Sequence, residues 1–193
     1  RDPSSAASDV YKRQINGFGR IGRLVYRAFL ERLNEFSNQY EISYINDLAD
    51  IDSNIHLLQY DSIHGSLKKE INKISNEQFS IGENTVTVTS ERNPIDLKWK
   101  DKKVDIILEC TGVFASKEKA MSHIESGASK VIVSAPCSGA DITVVQGVNN
   151  ENINIDHQII SNASCTTNCL APVAFVIDKA VSYTHLRAHE TLR

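Results

Sequence analysis

Along most of the chain, short apolar and β-branched runs alternate with stretches in which apolar residues recur every three or four positions. The runs predict strands because turn residues bound them, and they are residues 42–46, 79–90, 104–110, 131–136 and 158–160. Within residues 79–90, the sequence Gly82-Glu83-Asn84 predicts the turn of a hairpin. The stretches with helical spacing are residues 21–36, 51–60, 116–127 and 170–180. This alternation predicts an α/β fold with a doubly wound parallel sheet.

Single residues mark the ends of two of these predicted helices. Asp50 and Ser116 each precede a helix and carry a side chain that accepts hydrogen bonds from its first N–H groups, so both are predicted N-caps. Gly127 predicts the end of the helix that Ser116 begins.

The first predicted helix opens on a glycine motif, G-x-G-x-x-G, at Gly17, Gly19 and Gly22. In a dinucleotide-binding turn the first glycine permits the tight turn, the second lets a pyrophosphate approach the backbone, and the third lets helix and strand pack closely. The motif alone is equally typical of a tight loop, but the helix that follows offers an N-terminus that attracts phosphate. Asp47 ends the next predicted strand, where an acid binds ribose. The alternative for Asp47 is a turn or helix-cap residue.

The composition excludes several classes of function. A chain of 193 residues accommodates one core and part of a second domain. The net charge of −3 and pI of about 6.1 give no reason to expect nucleic-acid or membrane partners, and we expect no secretory signal. The spacing of the four cysteines, Cys110, Cys137, Cys165 and Cys169, fits no disulfide framework or metal site. We therefore expect a reducing, cytoplasmic setting.

Cys165 lies where a strand is predicted to pass into a helix. The free N–H groups and the dipole at a helix N-terminus favour the ionised, nucleophilic form of a thiol. Ser164, Thr166 and Thr167 add hydroxyls that bind an anion or cap the helix. A reactive thiol and a buried structural cysteine beside a helix cap both fit this spacing.

The wording around Cys165 favours the reactive thiol. Residues 161–172 read S-N-A-S-C-T-T-N-C-L-A-P and resemble the active-site segment of phosphorylating glyceraldehyde-3-phosphate dehydrogenases. The resemblance implies a glycolytic oxidoreductase in which Cys165 attacks the aldehyde, hydride passes to NAD, and inorganic phosphate cleaves the thioester. It also implies that Ser164 and Thr166 bind the phosphorylated aldehyde. Erythrose-4-phosphate dehydrogenase, which shares the nucleophile and the cofactor, is the alternative.

Residues 15–23, I-N-G-F-G-R-I-G-R, resemble the NAD-binding turn of the same family and imply a Rossmann-type domain. The cofactor contacts that the resemblance implies in this turn are Asn16, Gly17, Phe18, Gly19, Arg20, Ile21 and Gly22. It also implies Arg92 at the adenine end and Ser134 on the nicotinamide side; a solvated loop cation and a turn hydroxyl are the alternatives. Thr111 and Gly112 follow a predicted strand at its carboxyl end, where α/β folds bind ligands.

The resemblance covers residues 15–180, and both ends of the chain read like translated adaptor sequence. We therefore divide the chain into a leader (1–13), an NAD-binding Rossmann domain (14–162), the start of a truncated catalytic domain (163–180) and a tail (181–193). Lys12, Arg13 and Gln14 stand where buried strand residues are expected, which predicts a damaged first strand.

The family's catalytic base is a histidine that follows the cysteine, but neither His185 nor His189 stands in a matching context. The phosphate-site arginine and much of the homotetramer interface also belong to the half that the resemblance does not reach. We therefore expect the chain alone to be inactive. An NAD-binding module without catalysis is the remaining alternative.

Overall fold

A mostly parallel sheet forms the centre of the structure, which is a computed structural model that describes residues 11–33 and 40–181. The strands are β1 (Tyr11–Asn16), β2 (Tyr40–Asn46), β3 (Tyr60–Asp61), β4 (Gly65–Ser66), β5 (Ile71–Lys73), β6 (Gln78–Ile81), β7 (Asn84–Thr89), β8 (Ile106–Glu109), β9 (Lys130–Val133), β10 (Ile142–Thr143) and β11 (Ile159–Ser161). Among the described residues, nine strands pair in the order β10-β11-β9-β8-β1-β2-β7-β6-β5, and β3 pairs with β4. Only the β5–β6 and β6–β7 pairs of this nine-stranded sheet are antiparallel, and β6–β7 is the predicted hairpin.

The helices alternate with the strands, as predicted. They are α1 (Arg20–Glu31), α2 (Ile51–Gln59), α3 (Trp99–Lys102), α4 (Lys117–Glu125) and α5 (Cys165–Val181). Both predicted caps are confirmed: the side chains of Asp50 and Ser116 accept from the third residue beyond each cap, at 2.8 Å and 3.4 Å. Just after α4, Gly127 has a φ of +111°, and a Cβ there would lie 2.5 Å from the Cβ of Lys100.

Two hydrophobic cores lie on opposite faces of the sheet. Adjacent residues of β8 show this, because Ile107 belongs to one core and Leu108 packs against the other. Helices α1 and α2 contribute Tyr26 and Leu58 to the first core, whereas α4 contributes Ala120 to the second. Helices on both faces make the parallel sheet doubly wound, so the predicted α/β, Rossmann-type fold is confirmed.

Helix α1 buries a face that its apolar spacing alone does not single out. Tyr26 and Leu30 are buried, whereas Ile21 is 47% exposed. Arg27 is buried too, because its guanidinium donates to three backbone carbonyls at the end of α2 and beyond. Phe36, at the end of the predicted helix, lies outside the described residues.

Strand β1 begins three residues before the predicted start of the domain. It pairs with β2 on one side and β8 on the other, so residues 11–13 lie in the sheet. The strand pairs on both sides despite the predicted damage, with one register shift toward β2 between Arg13 and Gln14. Two buried polar atoms, Nη1 of Arg13 and Oε1 of Gln14, have no hydrogen-bond partner. Residues 1–10 and 182–193, with His185 and His189, lie outside the described residues.

Candidate functional site

A cavity of about 420 Å³, which we call the crevice, lies at the carboxyl ends of β1, β2 and β8. The chain passes from β1 to β2 on one side, while β8 pairs with β1 on the other. The crevice therefore occupies the switch point of the strand order, where open α/β sheets bind ligands. The predicted residues that line it are Asn16, Gly17, Gly19, Asp47, Arg92 and Thr111.

The three glycines of the motif meet different surroundings. Gly17 has a φ of +87°, and a Cβ on it would lie 2.7 Å from the backbone nitrogen of Thr111. A Cβ on Gly22 would lie 2.1 Å from the carbonyl oxygen of Gly17. Gly19 has open space, since a Cβ there would meet nothing within 4 Å. The first and third glycines therefore close the turn, and the second leaves room for a ligand against the backbone.

The N-terminus of α1 fits a pyrophosphate. Gly19 precedes the helix and no side chain caps it, so the first N–H groups lack the partner that a capping residue supplies. The first turn carries no acidic residue, and it begins with Arg20, which is exposed. Arg23 follows one turn later, and burial together with the charge of Arg20 lowers its pKa. Positive charge and free N–H groups at this end of α1 attract an anionic ligand.

Asp47 joins the glycine turn to the end of β2. One carboxylate oxygen accepts a hydrogen bond from the backbone N–H of Phe18 at 2.6 Å, and the other accepts from that of Ala49 at 2.9 Å. The bond to Ala49 makes Asp47 a turn residue, which is one of the two alternatives for this position. The other alternative, a helix cap, is wrong because Asp50 caps α2. Each oxygen retains a lone pair for a further donor, as a ribose diol requires.

Three other predicted cofactor residues, Phe18, Gly112 and Ser134, do not line the crevice. Phe18 is 1% exposed, so it contributes its backbone and not its ring. Gly112 follows Thr111 with a φ of +75°. Ser134 follows β9, and its N–H donates to the carbonyl of Glu109 at 2.9 Å.

Sequence reasoning missed a buried row of polar side chains beneath the crevice. The last residues of four neighbouring strands form it in register, and we call Thr89, Asn46, Asn16 and Glu109 the polar row. Residues 104–110 were interpreted only as an apolar buried strand. The signal was a carboxylate at the end of that strand, since burying a charge requires hydrogen-bond partners.

Cys165 is the first residue of α5 and is exposed. It follows β11 by a short turn in which Ala163 has a φ of +57°. The predicted helix therefore starts five residues earlier than its apolar spacing, at Cys165 itself. The hydroxyl of Ser164 accepts from the N–H of Thr167 at 3.0 Å and lies 2.9 Å from the hydroxyl of Thr166. Ser164 therefore caps the helix. The cysteine beside it is exposed, so the alternative of a buried structural cysteine is wrong.

The four cysteines, all free, differ in exposure and surroundings. Burial raises the pKa of the Cys110 thiol to about 11, and burial with the charge of Asp141 raises the pKa of the Cys137 thiol. Cys169, one helical turn after Cys165, is exposed as well. The two thiols of α5 are therefore open to reagents, and the other two are suppressed.

No helix within residues 11–33 and 40–181 has the length and apolar character needed to cross a bilayer. The same residues bring together no group of three or more histidine, cysteine, aspartate or glutamate side chains that fits a metal ion.

Comparison with known proteins identifies the family. The model of the family described as glyceraldehyde 3-phosphate dehydrogenase, NAD binding domain, matches residues 11–117. Glyceraldehyde-3-phosphate dehydrogenase of Xanthobacter flavus is 50% identical over 167 residues, which cover 86% of this chain and 49% of that protein. The same enzyme of Pseudomonas aeruginosa is 47% identical over 171 residues, covering 89% of this chain and 50% of that protein. The chain thus spans about half the length of the curated relatives it matches, and it belongs to the glyceraldehyde 3-phosphate dehydrogenase family.

Proposed function

We propose that the intact protein oxidises glyceraldehyde 3-phosphate to 1,3-bisphosphoglycerate with NAD and inorganic phosphate, and that this chain supplies the NAD-binding domain and the nucleophile. One observation carries the proposal: a dinucleotide crevice and an exposed thiol at a helix N-terminus lie at the carboxyl edge of one parallel sheet. The domain boundaries that we propose follow from it, with the Rossmann domain ending near residue 162 and the catalytic domain beginning at the turn before α5.

The residues along the crevice follow the order of the chemical groups of NAD. Gly17, Gly19 and the N-terminus of α1 would hold the pyrophosphate, and Asp47 would accept from the adenosine ribose. Arg92 would lie at the adenine end, with Thr111 and Gly112 on the opposite wall and Ser134 toward the nicotinamide. NAD, when bound, supplies the acceptor for the hydride.

Cys165 supplies the covalent chemistry. Its thiolate adds to the aldehyde carbon to give a thiohemiacetal, and a base takes the hydroxyl proton as hydride leaves that carbon. Phosphate then attacks the thioester, and the thiolate leaves. The hydroxyls of Ser164 and Thr166 would bind substrate oxygen atoms beside the thiol. We propose that the base belongs to the part of the relatives' length that this chain does not span, so this chain alone would bind NAD without turnover.

The proposed reaction is tested by NADH absorbance with the intact protein. We expect turnover of glyceraldehyde 3-phosphate to require both NAD and phosphate, and to exceed turnover of erythrose 4-phosphate. A preference for erythrose 4-phosphate would assign the protein to the alternative dehydrogenase. Turnover by the 193-residue chain itself would refute its proposed role as a binding half and would direct attention to His185 or His189.

The setting and assembly of the intact protein are also proposals. Four free thiols, one of them the proposed nucleophile, fit a reducing compartment, so we propose the cytoplasm. For the intact protein we propose the homotetramer that the family resemblance implies. Light scattering of the intact protein tests it, and a monomer would exclude it.

A further inference from the structure

The polar row beneath the crevice is a directional chain of hydrogen bonds. The hydroxyl of Thr89 donates to Oδ1 of Asn46 at 2.9 Å, and Nδ2 of Asn46 donates to Oδ1 of Asn16 at 2.8 Å. Nδ2 of Asn16 then donates to Oε2 of Glu109 at 2.6 Å. Every donor in the row points toward Glu109, whose carboxylate is the terminal acceptor. The row therefore ties together the ends of β7, β2, β1 and β8.

Glu109 is 1% exposed and is surrounded by donors on every side. Besides Asn16, its Oε2 receives the Nε2 of His123 at 3.0 Å. The indole N–H of Trp99, which can only donate, lies 3.4 Å from Nδ1 of His123, so Nδ1 accepts and Nε2 carries the proton. Oε1 of Glu109 accepts from the backbone N–H of Thr111 at 2.8 Å and also contacts the Thr111 hydroxyl. A carboxylate here satisfies all of these groups at once.

Three members of the row connect directly to residues of the crevice. Asn16 precedes Gly17, Asn46 precedes Asp47, and Glu109 holds Thr111, against which Gly17 is packed. The hydroxyl of Thr111 in turn accepts from the N–H of Val113 at 3.0 Å, which shapes the opposite wall. The spacing between the glycine turn and that wall therefore depends on the buried carboxylate.

We propose that Glu109 is a positioning residue for the dinucleotide site: it orients the polar row and holds the Thr111 turn against the glycine turn. This inference rests on the proposed function, because NAD is the ligand whose binding it controls. Glu109 acts through Thr111 and Asn16 and does not touch the cofactor.

The direction of donation along the polar row cannot reverse when the side chain at position 109 is changed. Oδ1 of Asn46 also accepts from the backbone N–H of Glu91 at 2.8 Å, and its Nδ2 donates to the carbonyl of Glu91 at 2.8 Å. Flipping the Asn46 amide would set donor against donor and acceptor against acceptor at both atoms. A glutamine at position 109 keeps the size of the side chain but replaces one acceptor by a donor. Its amide then faces the donors of Asn16 and His123 or those of Thr111, with no arrangement that satisfies both.

The test measures NAD affinity and amide hydrogen exchange of the 193-residue chain with Glu109→Gln. We expect NAD affinity of the folded variant to fall by about 10- to 100-fold. Without NAD, the amides of Thr111 and Val113 should exchange faster than in the unmutated chain. The control is Trp99→Phe, which removes the indole N–H at the far side of His123; we expect it to lower Tm and leave NAD affinity within about twofold.

A second variant moves the carboxylate one place along the row. In Glu109→Gln with Asn16→Asp, the aspartate accepts from Asn46 and from the glutamine amide, and the glutamine oxygen accepts from Thr111, so that only the Nε2–H of His123 still faces a donor. We expect this pair to recover part of the affinity lost in Glu109→Gln, or to fold where the single variant does not. If the double variant neither binds NAD more tightly nor folds better than Glu109→Gln alone, the proposed arrangement of donors and acceptors is wrong.

The other outcomes are equally decisive. If Glu109→Gln lowers Tm like Trp99→Phe but keeps both the NAD affinity and the exchange rates, Glu109 is structural only and the proposal is wrong. If the unmutated chain binds no NAD, the proposed cofactor function fails. The exchange measurement without NAD then still decides the inference, because unchanged protection of the Thr111 turn would overturn it.

Discussion

The crevice and the thiol lie at the same edge of the sheet but are held in opposite ways. Beneath the crevice, Asn16, Asn46 and Glu109 are at most 5% exposed and bond to one another. Cys165 is exposed, and α5 leaves Val173 and Val176 55% and 64% exposed. The binding site is thus fixed by buried bonds within the described fold. The thiol instead lies on an exposed surface of the described fold.

The largest expected effect separates the two regions by their chemistry. In the intact protein, Cys165→Ser should lower turnover by more than about 10³-fold, because a serine hydroxyl does not form the thioester that phosphate cleaves. NAD affinity should stay unchanged, since the crevice is built independently of α5. Cys169→Ser, one helical turn away, is the matched control and should retain activity. NADH absorbance and equilibrium NAD binding measure both; comparable losses in the two variants would remove Cys165 from its role.

The next effect breaks the crevice itself. Gly22→Ala places a Cβ 2.1 Å from the carbonyl oxygen of Gly17, so we expect loss of NAD binding and a destabilisation of about 1–3 kcal/mol. Gly19→Ala meets nothing within 4 Å and should leave the fold intact while obstructing the pyrophosphate. Thermal unfolding with and without NAD distinguishes the two. A Gly19→Ala chain that binds NAD normally would mean that the ligand does not approach the backbone there.

The next prediction concerns Asp47 and the preference for NAD over NADP. Asp47→Asn should weaken NAD binding by about 10- to 100-fold, because a charged acceptor for the ribose hydroxyls is lost. The unmutated crevice should bind NAD more tightly than NADP, since the carboxylate repels a 2′-phosphate and Leu48 and Ala49 follow it instead of a cation. Isothermal titration of both dinucleotides checks both expectations. Equal affinities in the unmutated chain would leave Asp47 as a turn residue.

Thiol reactivity tests the second region alone. Substoichiometric iodoacetamide near neutral pH should label Cys165 severalfold faster than Cys169, because the helix dipole acts mainly within the first turn. Cys110 and Cys137 should react slowest, since burial raises the pKa of both thiols, that of Cys110 to about 11. Peptide mapping by mass spectrometry locates the label. Preferential labelling of Cys110 would contradict the assignment of the nucleophile.

The sequence predicts the features that depend on local patterns and misses those that depend on contacts between distant residues. Strand alternation, the glycine motif and the caps at Asp50 and Ser116 are local patterns, so the fold and the position of the crevice were predictable. The polar row was not, because its hydrogen-bonded neighbours are 30 to 93 residues apart in the sequence and meet only when parallel strands align their ends in register. The buried face of α1 was not predictable for the same reason. Arg27 is buried because it donates to backbone carbonyls that only the tertiary fold brings near it.

The smallest expected effect concerns the strand that supports the crevice from below. Gln14 is fully buried in β1, in register with Tyr44 on one side and Ile107 on the other, and its Oε1 has no hydrogen-bond partner. Gln14→Val removes that unsatisfied oxygen at similar volume, together with the hydrogen bond that Nε2 donates to the carbonyl of Ile15 at 2.6 Å, and should raise the free energy of unfolding by about 1 kcal/mol. Tyr11→Val, at the exposed end of the same strand, controls for the change to a β-branched residue and should shift stability by less than about 0.5 kcal/mol. Urea unfolding followed by circular dichroism measures both. A loss of stability in Gln14→Val would contradict this account, because the bond from Nε2 to Ile15 would then stabilise the strand by more than the unpaired oxygen costs.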